Sequence, residues 1–362
     1  MTNRYNKHII LPEIGQEGQN KLSNAKVLVV GAGGLGCPIL QYLAAAGVGT
    51  LGIIDFDVVE ISNLQRQVLF GQTTLGENKA LAAKKRLQDL NSELKINAYP
   101  EALTHQNALN LFMQYDIIVD GSDNFKTRYL VNDACIITNK PLVFGAIYKF
   151  EGQVSVFNYQ NGPTYRCLFP NPPQKNAIPN CAEIGVLGVL PGIIGSMQAN
   201  EVIKIITGIG AVLSGKLLCF NSLTNQTSIL KIKKNEAIIN AVKTKASKFQ
   251  FNKSMQHNCE VVKTASFKHI IGKKNIQIID VREIHEQPKI DGFNVISIPL
   301  SAIQNHLNLF KNNLENYLFC QSGIRSKKAV KILNDAGITN CFSIEESAQE
   351  IKNSTIMELK KT

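Results

Sequence analysis

Between Val27 and Asp55 the chain passes through an order of residues that few folds accept. A short aliphatic and β-branched run, Val27–Val30, leads straight into Gly31, Gly33, Gly34 and Gly36. Ile39, Leu40, Leu43 and Ala44 then recur at helical spacing, and a second apolar run, Leu51–Ile54, ends on Asp55. An uninterrupted apolar run is what a strand buried on both faces of a parallel sheet needs. Strand, glycine turn and helix in that order place backbone N–H groups and a helix N-terminus where a phosphate can sit. Asp55 follows the last glycine by about 20 residues, where a carboxylate accepts from a ribose hydroxyl. The stretch reads as a nucleotide-binding βαβ unit.

Gly31-Ala32-Gly33-Gly34-Leu35-Gly36 also satisfies the NAD pattern, so the glycines alone do not choose the nucleotide. The residues after Asp55 do. Asp57, Asn63, Gln65 and Arg66 crowd the exit of the second strand, and Lys79 follows in GENKA. A dinucleotide site has no need of Arg and Lys at that point. Phosphoryl or nucleotidyl transfer does, because negative charge builds on the phosphate under attack. The balance favours ATP.

GAGGLGCP, DFD, SNLQRQ, GSDN and the N-terminal RYNKHIIL resemble the molybdopterin-synthase adenylyltransferase family. Its relatives include the thiamine-pathway adenylyltransferases and the ubiquitin-activating enzymes. The resemblance implies a Rossmann-like ATP-binding domain with a mixed sheet, and a site assembled from matching positions. Arg66 and Lys79 would lie on the phosphates as transition-state stabilisers, Asp55 on the ribose with Asp57, Asn63 and Asn124 as helpers, and Asp123 would hold Mg²⁺. Arg4 and Lys7 would reach a partner's ATP site across a homodimer. Lys7 stands where the family commonly has arginine, keeping the charge without the planar fork. Cys181 matches the second-step cysteine of relatives that handle persulfide or thioester intermediates.

Each of these residues has a plainer reading. A carboxylate after a strand also caps the next helix, a job open to Ser122 and Asn124 as well. Arg66 and Lys79 taken singly are surface ion pairs, and Cys181 is equally a small buried hydrophobe. One departure stands out. The family's structural zinc site uses two CxxC pairs, whereas this chain has Cys167-Leu168-Phe169-Pro170 at the first and no pair near 231–245. No zinc is predicted, and the loop 162–180, with five prolines, is expected to be held by packing.

A second constellation lies near the C-terminus. Cys320-Gln321-Ser322-Gly323-Ile324-Arg325-Ser326 opens a helix and resembles the rhodanese active-site loop, with Asp280-Val281-Arg282 matching that domain's early signature. A thiolate gains from backbone N–H groups, a helix N-terminus and a nearby cation, all of which lower its pKa. SIEESAQEI stands where rhodaneses usually show Gly-Gly and an aromatic, so the last elements are expected to be degenerate. The competing reading is an inactive rhodanese fold used for docking.

The 362 residues suit two domains, on a prior of roughly 100–200 residues each. The α/β pattern divides into an adenylyltransferase domain at 1–235, a Lys-rich linker at 236–262 and a smaller rhodanese-like domain at 263–362. Between Lys231 and Lys274 stand 11 lysines and two acids, which supply +9 of the net charge of +11. This reads as a solvated linker rather than a nucleic-acid surface. Eight cysteines without a CxxC pair read as reduced thiols. MTNRYNK is too short and too soon interrupted for a signal, and Ile184–Met197 carries Pro191 and four glycines. The expectation is a cytoplasmic protein without a membrane span.

The expected activity is adenylylation of the C-terminal glycine of a small ubiquitin-like sulfur carrier ending in Gly-Gly. Cys320, loaded by a persulfide donor such as a cysteine desulfurase and assisted by Arg325, would then deliver sulfur to give a thiocarboxylate. A thiamine-pathway carrier is the near alternative. More distant are an NAD(P)-dependent oxidoreductase fused to a sulfur-handling domain and an adaptor whose sites bind without turnover.

Overall fold

A computed structural model describes residues 4–173, 185–249, 263–273, 275–290, 294–310, 313–321 and 323–359. They fall into two units, Met1–Asn252 and Lys253–Thr362.

In the first unit, β1 (Lys26–Val30), β2 (Thr50–Ile54), β3 (Lys95–Tyr99), β4 (Ile117–Asp120), β5 (Leu142–Tyr148), β6 (Glu151–Phe157), β7 (Lys216–Asn221) and β8 (Gln226–Lys231) form one sheet. Its order is β3-β2-β1-β4-β5-β6-β7-β8. The strands run parallel from β3 to β5 and antiparallel from β5 to β8. The sheet is mixed, as the family resemblance implies, and the change of direction comes at β5.

β1 shows why its sequence is apolar throughout. Val27 and Val29 enter one core and Leu28 and Val30 the other. Helices Gly36–Ala46, Lys79–Leu90 and Leu190–Thr207 cover the first face; His105–Phe112 and Phe125–Thr138 cover the second. Because β2 and β4 flank β1 on opposite sides, the sheet order reverses at β1. The crevice beyond the carboxyl ends of β1 and β4 is therefore where an open α/β sheet collects ligands.

Helix Lys79–Leu90 buries Ala80, Ala82, Ala83 and Leu87, while Leu81 and Leu90 are exposed. The alanines and Leu87 make the close face. Gly15 opens helix Gly15–Asn24. Pro191 sits in the first turn of helix Leu190–Thr207, a position where its missing N–H costs nothing. Among the described residues no helix is long and apolar enough to cross a membrane.

Residues 236–249, placed in the linker by the sequence, instead fold. Asn235 caps helix Glu236–Thr244 through Ile238 N–H, and Ile239 and Val242 pack on Ile136. Phe249 is buried against His105, ring centroids 4.9 Å apart. Lys243 and Lys245 stay exposed, so a lysine-rich composition conceals a short apolar stripe. Residues 250–262 lie outside the described residues.

The second unit is a parallel sheet in the order β11-β10-β12-β13-β9. Its strands are β9 (Thr264–Ala265), β10 (Ile276–Asp280), β11 (Val295–Ser297), β12 (Glu315–Phe319) and β13 (Cys341–Ile344). Leu318 packs on one face, Tyr317 and Phe319 on the other. The ending expected to be degenerate instead forms β13 and helix Ala348–Leu359, with Ala348 and Ile351 buried. Glu345 and Glu346 tie this ending to the residues at β9. Glu346 accepts Ser266 Oγ at 2.5 Å and Phe267 N–H at 2.7 Å, and Glu345 accepts Thr264 Oγ1 at 2.7 Å.

Candidate functional site

At the switch point the glycines are required by contact. Gly31 has φ +93°, and a Cβ there would lie 3.0 Å from Gly121 O. A Cβ on Gly36 would lie 2.0 Å from Gly31 O, so the helix can fold back on the loop only without a side chain. Gly34 faces Pro191 and the Arg66 side chain, and Gly33 faces Gln67. The ends of three strands are tied together by Gly31 N–H to Ile54 O, 2.9 Å, and Gly121 N–H to Val30 O, 2.8 Å. Cys37 is buried beneath this loop, and burial pushes its thiol up to about 12, so it is inert.

Asp55 is locked onto the loop. Its Oδ2 accepts Ala32 N–H at 2.8 Å and its Oδ1 accepts Asp57 N–H at 2.8 Å. Burial raises its pKa, and the two N–H groups oppose that shift. Each oxygen keeps a lone pair for a further donor such as a ribose hydroxyl.

Lys79 begins the next helix on this side. Its Nζ pairs with Asp57 Oδ2 at 3.2 Å; the lysine side chain is 8% exposed and the aspartate 52%. Asn78, which the sequence reading passed over, holds this arrangement together. Its Oδ1 caps the helix by accepting Ala80 and Leu81 N–H groups, and its Nδ2 donates to the carbonyls of Asp55 and Asp57. An asparagine just before a helical pattern signals a cap; nothing in the sequence signals its second role.

Arg66 donates to Ser62 O at 3.0 Å and makes no ion pair among the described residues. Asn63 is buried, takes Glu60 N–H at 3.1 Å, and offers its carbonyl to Arg66 and Gln67 N–H groups. Its side chain therefore shapes the turn that carries Arg66. Gln67 is buried, and its Oε1 has no hydrogen-bond partner among the described residues.

At the end of β4, Asp123 is exposed, with no partner among the described residues. Asn124 takes the capping role, accepting Thr127 N–H at 2.9 Å. Asp120, fully buried beneath them, has its pKa raised by burial; its Oδ1 accepts Ser122 N–H and its Oδ2 has no hydrogen-bond partner among the described residues. Gln198 reaches from helix Leu190–Thr207 to donate to Asp120 O at 2.8 Å. Mg²⁺ keeps several waters and takes one or two carboxylates plus substrate phosphates. An exposed, unpartnered Asp123 beside the phosphate loop fits that donor set.

Arg4 donates to Leu90 O at 2.9 Å. Leu90 ends the helix that Lys79 begins, about 16 Å away along its axis. Lys7 is exposed. Arg4 is thus placed away from its own chain's phosphate loop. Cys181 lies outside the described residues.

Cys167 Sγ accepts N–H groups from Thr164 and Asn235, each at 3.3 Å. Among the described residues no three His, Cys, Asp or Glu side chains gather as a metal site. The loop around it uses more than packing. Arg166 binds Asp133 with two bonds of 2.6 and 2.8 Å, and Tyr129 OH donates to Phe169 O and Asn171 O.

In the second unit Cys320 follows β12 and is 1% exposed. Its sulfur receives Ser326 N–H at 3.4 Å, from the first turn of helix Ile324–Asp335, and lies 3.6 Å from Ser326 Oγ. That hydroxyl is itself held by Gly323 O and Ser343 Oγ. Arg282 is buried and structural. It binds Asp280 at 2.9 and 2.7 Å and braces the cysteine loop through Gln321 Oε1 at 3.2 Å. Arg325 donates to Glu286, a residue the sequence reading did not single out.

The ThiF family model matches residues 5–240. The sulfur carrier protein adenylyltransferase of Thermus thermophilus is 54% identical over 64% of this chain and 88% of its own length. A probable adenylyltransferase/sulfurtransferase, MoeZ, of Mycobacterium tuberculosis is 40% identical over 94% of this chain and 90% of its own. Among solved structures, E. coli MccB with AMPCPP and MccA superposes with a TM-score of 0.58, at 25% identity over 64% of this chain and 72% of that one. With the family model spanning most of the chain and a relative matching nearly all of it, this chain belongs to the ThiF family.

Proposed function

We propose that the protein is an adenylyltransferase and sulfurtransferase acting on a small ubiquitin-like sulfur carrier that ends in Gly-Gly. The observation that carries the first step is the switch-point cradle, in which Asp55 is fastened to the glycine loop while Lys79 and Arg66 approach from two other segments. The carrier's carboxylate attacks the α-phosphate of ATP, and the bond to the pyrophosphate breaks. Asp55 holds the ribose, and Lys79 and Arg66 offset the charge that builds on the phosphate, each worth on the order of 100-fold in rate. Asp123 would hold Mg²⁺, which supplies charge neutralisation on the phosphates.

In the second step the terminal sulfur of a Cys320 persulfide attacks the acyl-adenylate and expels AMP, leaving an acyl disulfide. Cys181 then attacks the Cys320 sulfur; the thiocarboxylate departs and a Cys181–Cys320 disulfide remains for a thiol to reopen. Ser326 N–H and the helix behind it favour the Cys320 thiolate. The paired activities in the Mycobacterium relative's name, over nine-tenths of both chains, support this two-step reading above the thiamine-pathway and oxidoreductase alternatives. Arg4 and Lys7 act in trans, in a homodimer, on the partner's nucleotide.

The test is pyrophosphate–ATP exchange with a Gly-Gly carrier, followed by intact-mass detection of its thiocarboxylate. Exchange that ignores the carrier, or nicotinamide-dependent redox turnover in its place, sinks the reading.

A further inference from the structure

The loop after β10 sets a carboxylate against the only arginine in the Cys320 loop. Arg325 donates from both terminal nitrogens to Glu286, at 2.5 and 2.7 Å. Glu286 is held from behind, since its Oε1 also accepts Glu283 N–H at 2.9 Å. The Arg325 pairing lowers its pKa to about 2, so it is ionised under any assay condition. Glu283, fixed by Ser301 Oγ at 3.1 Å, adds to the negative field on Arg325. Arg282 is cancelled in turn by Asp280. The exposed Lys327 and Lys328 are screened by solvent.

A loop arranged this way offers little net positive charge to an incoming donor. Thiosulfate arrives as a dianion and leaves as sulfite, another dianion, so it depends on an uncancelled cation. A persulfide arrives neutral or with one charge. We propose that Glu286 is a specificity-determining residue: by neutralising Arg325 it sets the Cys320 loop to take sulfane sulfur from persulfides and to discriminate against thiosulfate. This rests on the sulfurtransferase reading of Cys320. In the favoured step the Cys320 thiolate attacks the outer sulfur of R–S–SH. A new S–S bond forms at Cys320, the donor's S–S bond breaks, the proton stays with the transferred sulfur, and RS⁻ leaves.

The experiment loads the full chain with thiosulfate or with a low-molecular-weight thiol persulfide, then traps the Cys320 persulfide by alkylation for intact-mass kinetics. Glu286→Gln raises kcat/KM for thiosulfate about tenfold at low salt, while the persulfide value moves less than about twofold. Glu286→Asp keeps the charge and stays near the starting ratio. Equal changes for both donors assign Glu286 a purely structural role and overturn the proposal, as does a thiosulfate rate that fails to rise. If the unaltered protein loads from neither donor, the sulfurtransferase reading falls and takes the proposal with it. That outcome is distinct because no variant is needed to see it.

Discussion

The loop after β1 and the loop after β12 share a plan, a parallel strand that breaks into a turn and opens a helix, but they treat charge in opposite ways. Around the first, among the described residues, Arg66 is held only by a carbonyl, Lys79 shares its charge with a half-exposed Asp57, and Asp123 has no partner. Around the second, Arg282 and Arg325 are each matched by a carboxylate with two bonds. A triphosphate brings several negative charges, so a site that receives one keeps its cations loosely engaged until it arrives. A sulfur atom in transfer brings little charge, and the second loop instead sets the Ser326 N–H and hydroxyl against Cys320.

The contrast breaks most visibly by substitution. Cys320→Ala abolishes thiocarboxylate formation, measured by intact mass of the carrier, while leaving carrier-dependent pyrophosphate exchange within about twofold. Lys79→Ala lowers that exchange on the order of 100-fold, as expected for a lost transition-state cation. Arg325→Ala should leave it alone. If Arg325→Ala slowed exchange as much as Lys79→Ala does, the division of labour between the units would be wrong.

Asn78→Ala sharpens the comparison at smaller scale. Loss of the cap costs about 1 kcal/mol by denaturant titration. Freeing the Asp55 and Asp57 carbonyls lowers exchange about tenfold, more than a cap alone explains.

The smallest effects are on pH. Asp55 has its pKa raised by burial, so its charge, and with it nucleotide affinity, is lost as pH falls through a value above the ordinary aspartate range of about 3.9. Calorimetric titration of a non-hydrolysable ATP analogue reads the loss. Glu286 has its pKa lowered. Its contribution to stability is present above the ordinary glutamate pKa and goes only as pH falls toward about 2. The Arg325 pairing, read as the donor preference, therefore holds constant over the range in which Asp55 titrates.

Some of this was legible in the chain and some was not. Gly31, Gly36 and Asp55 announce themselves because a positive φ, a helix folding back on its loop, and a carboxylate at a set distance are local requirements that residue type records. Helix Glu236–Thr244 escaped notice because Ile239 and Val242 are a short stripe among lysines, and packing on Ile136 of another helix, with Ile137 and Cys167 beside it, makes them a core. Leu81 and Leu90 show the reverse, exposed leucines on a helix whose close packing against the sheet selects alanine.

What the amino-acid order determined alone is the βαβ unit at β1 and the chemical inventory of both loops, since backbone conformation and residue spacing act over a few positions. Which charges stay available was decided only by the tertiary structure. Glu286 and Arg325 stand 39 residues apart, and Asp57 and Lys79 22 apart. No local rule pairs such residues; the order of the strands does, by bringing their ends together.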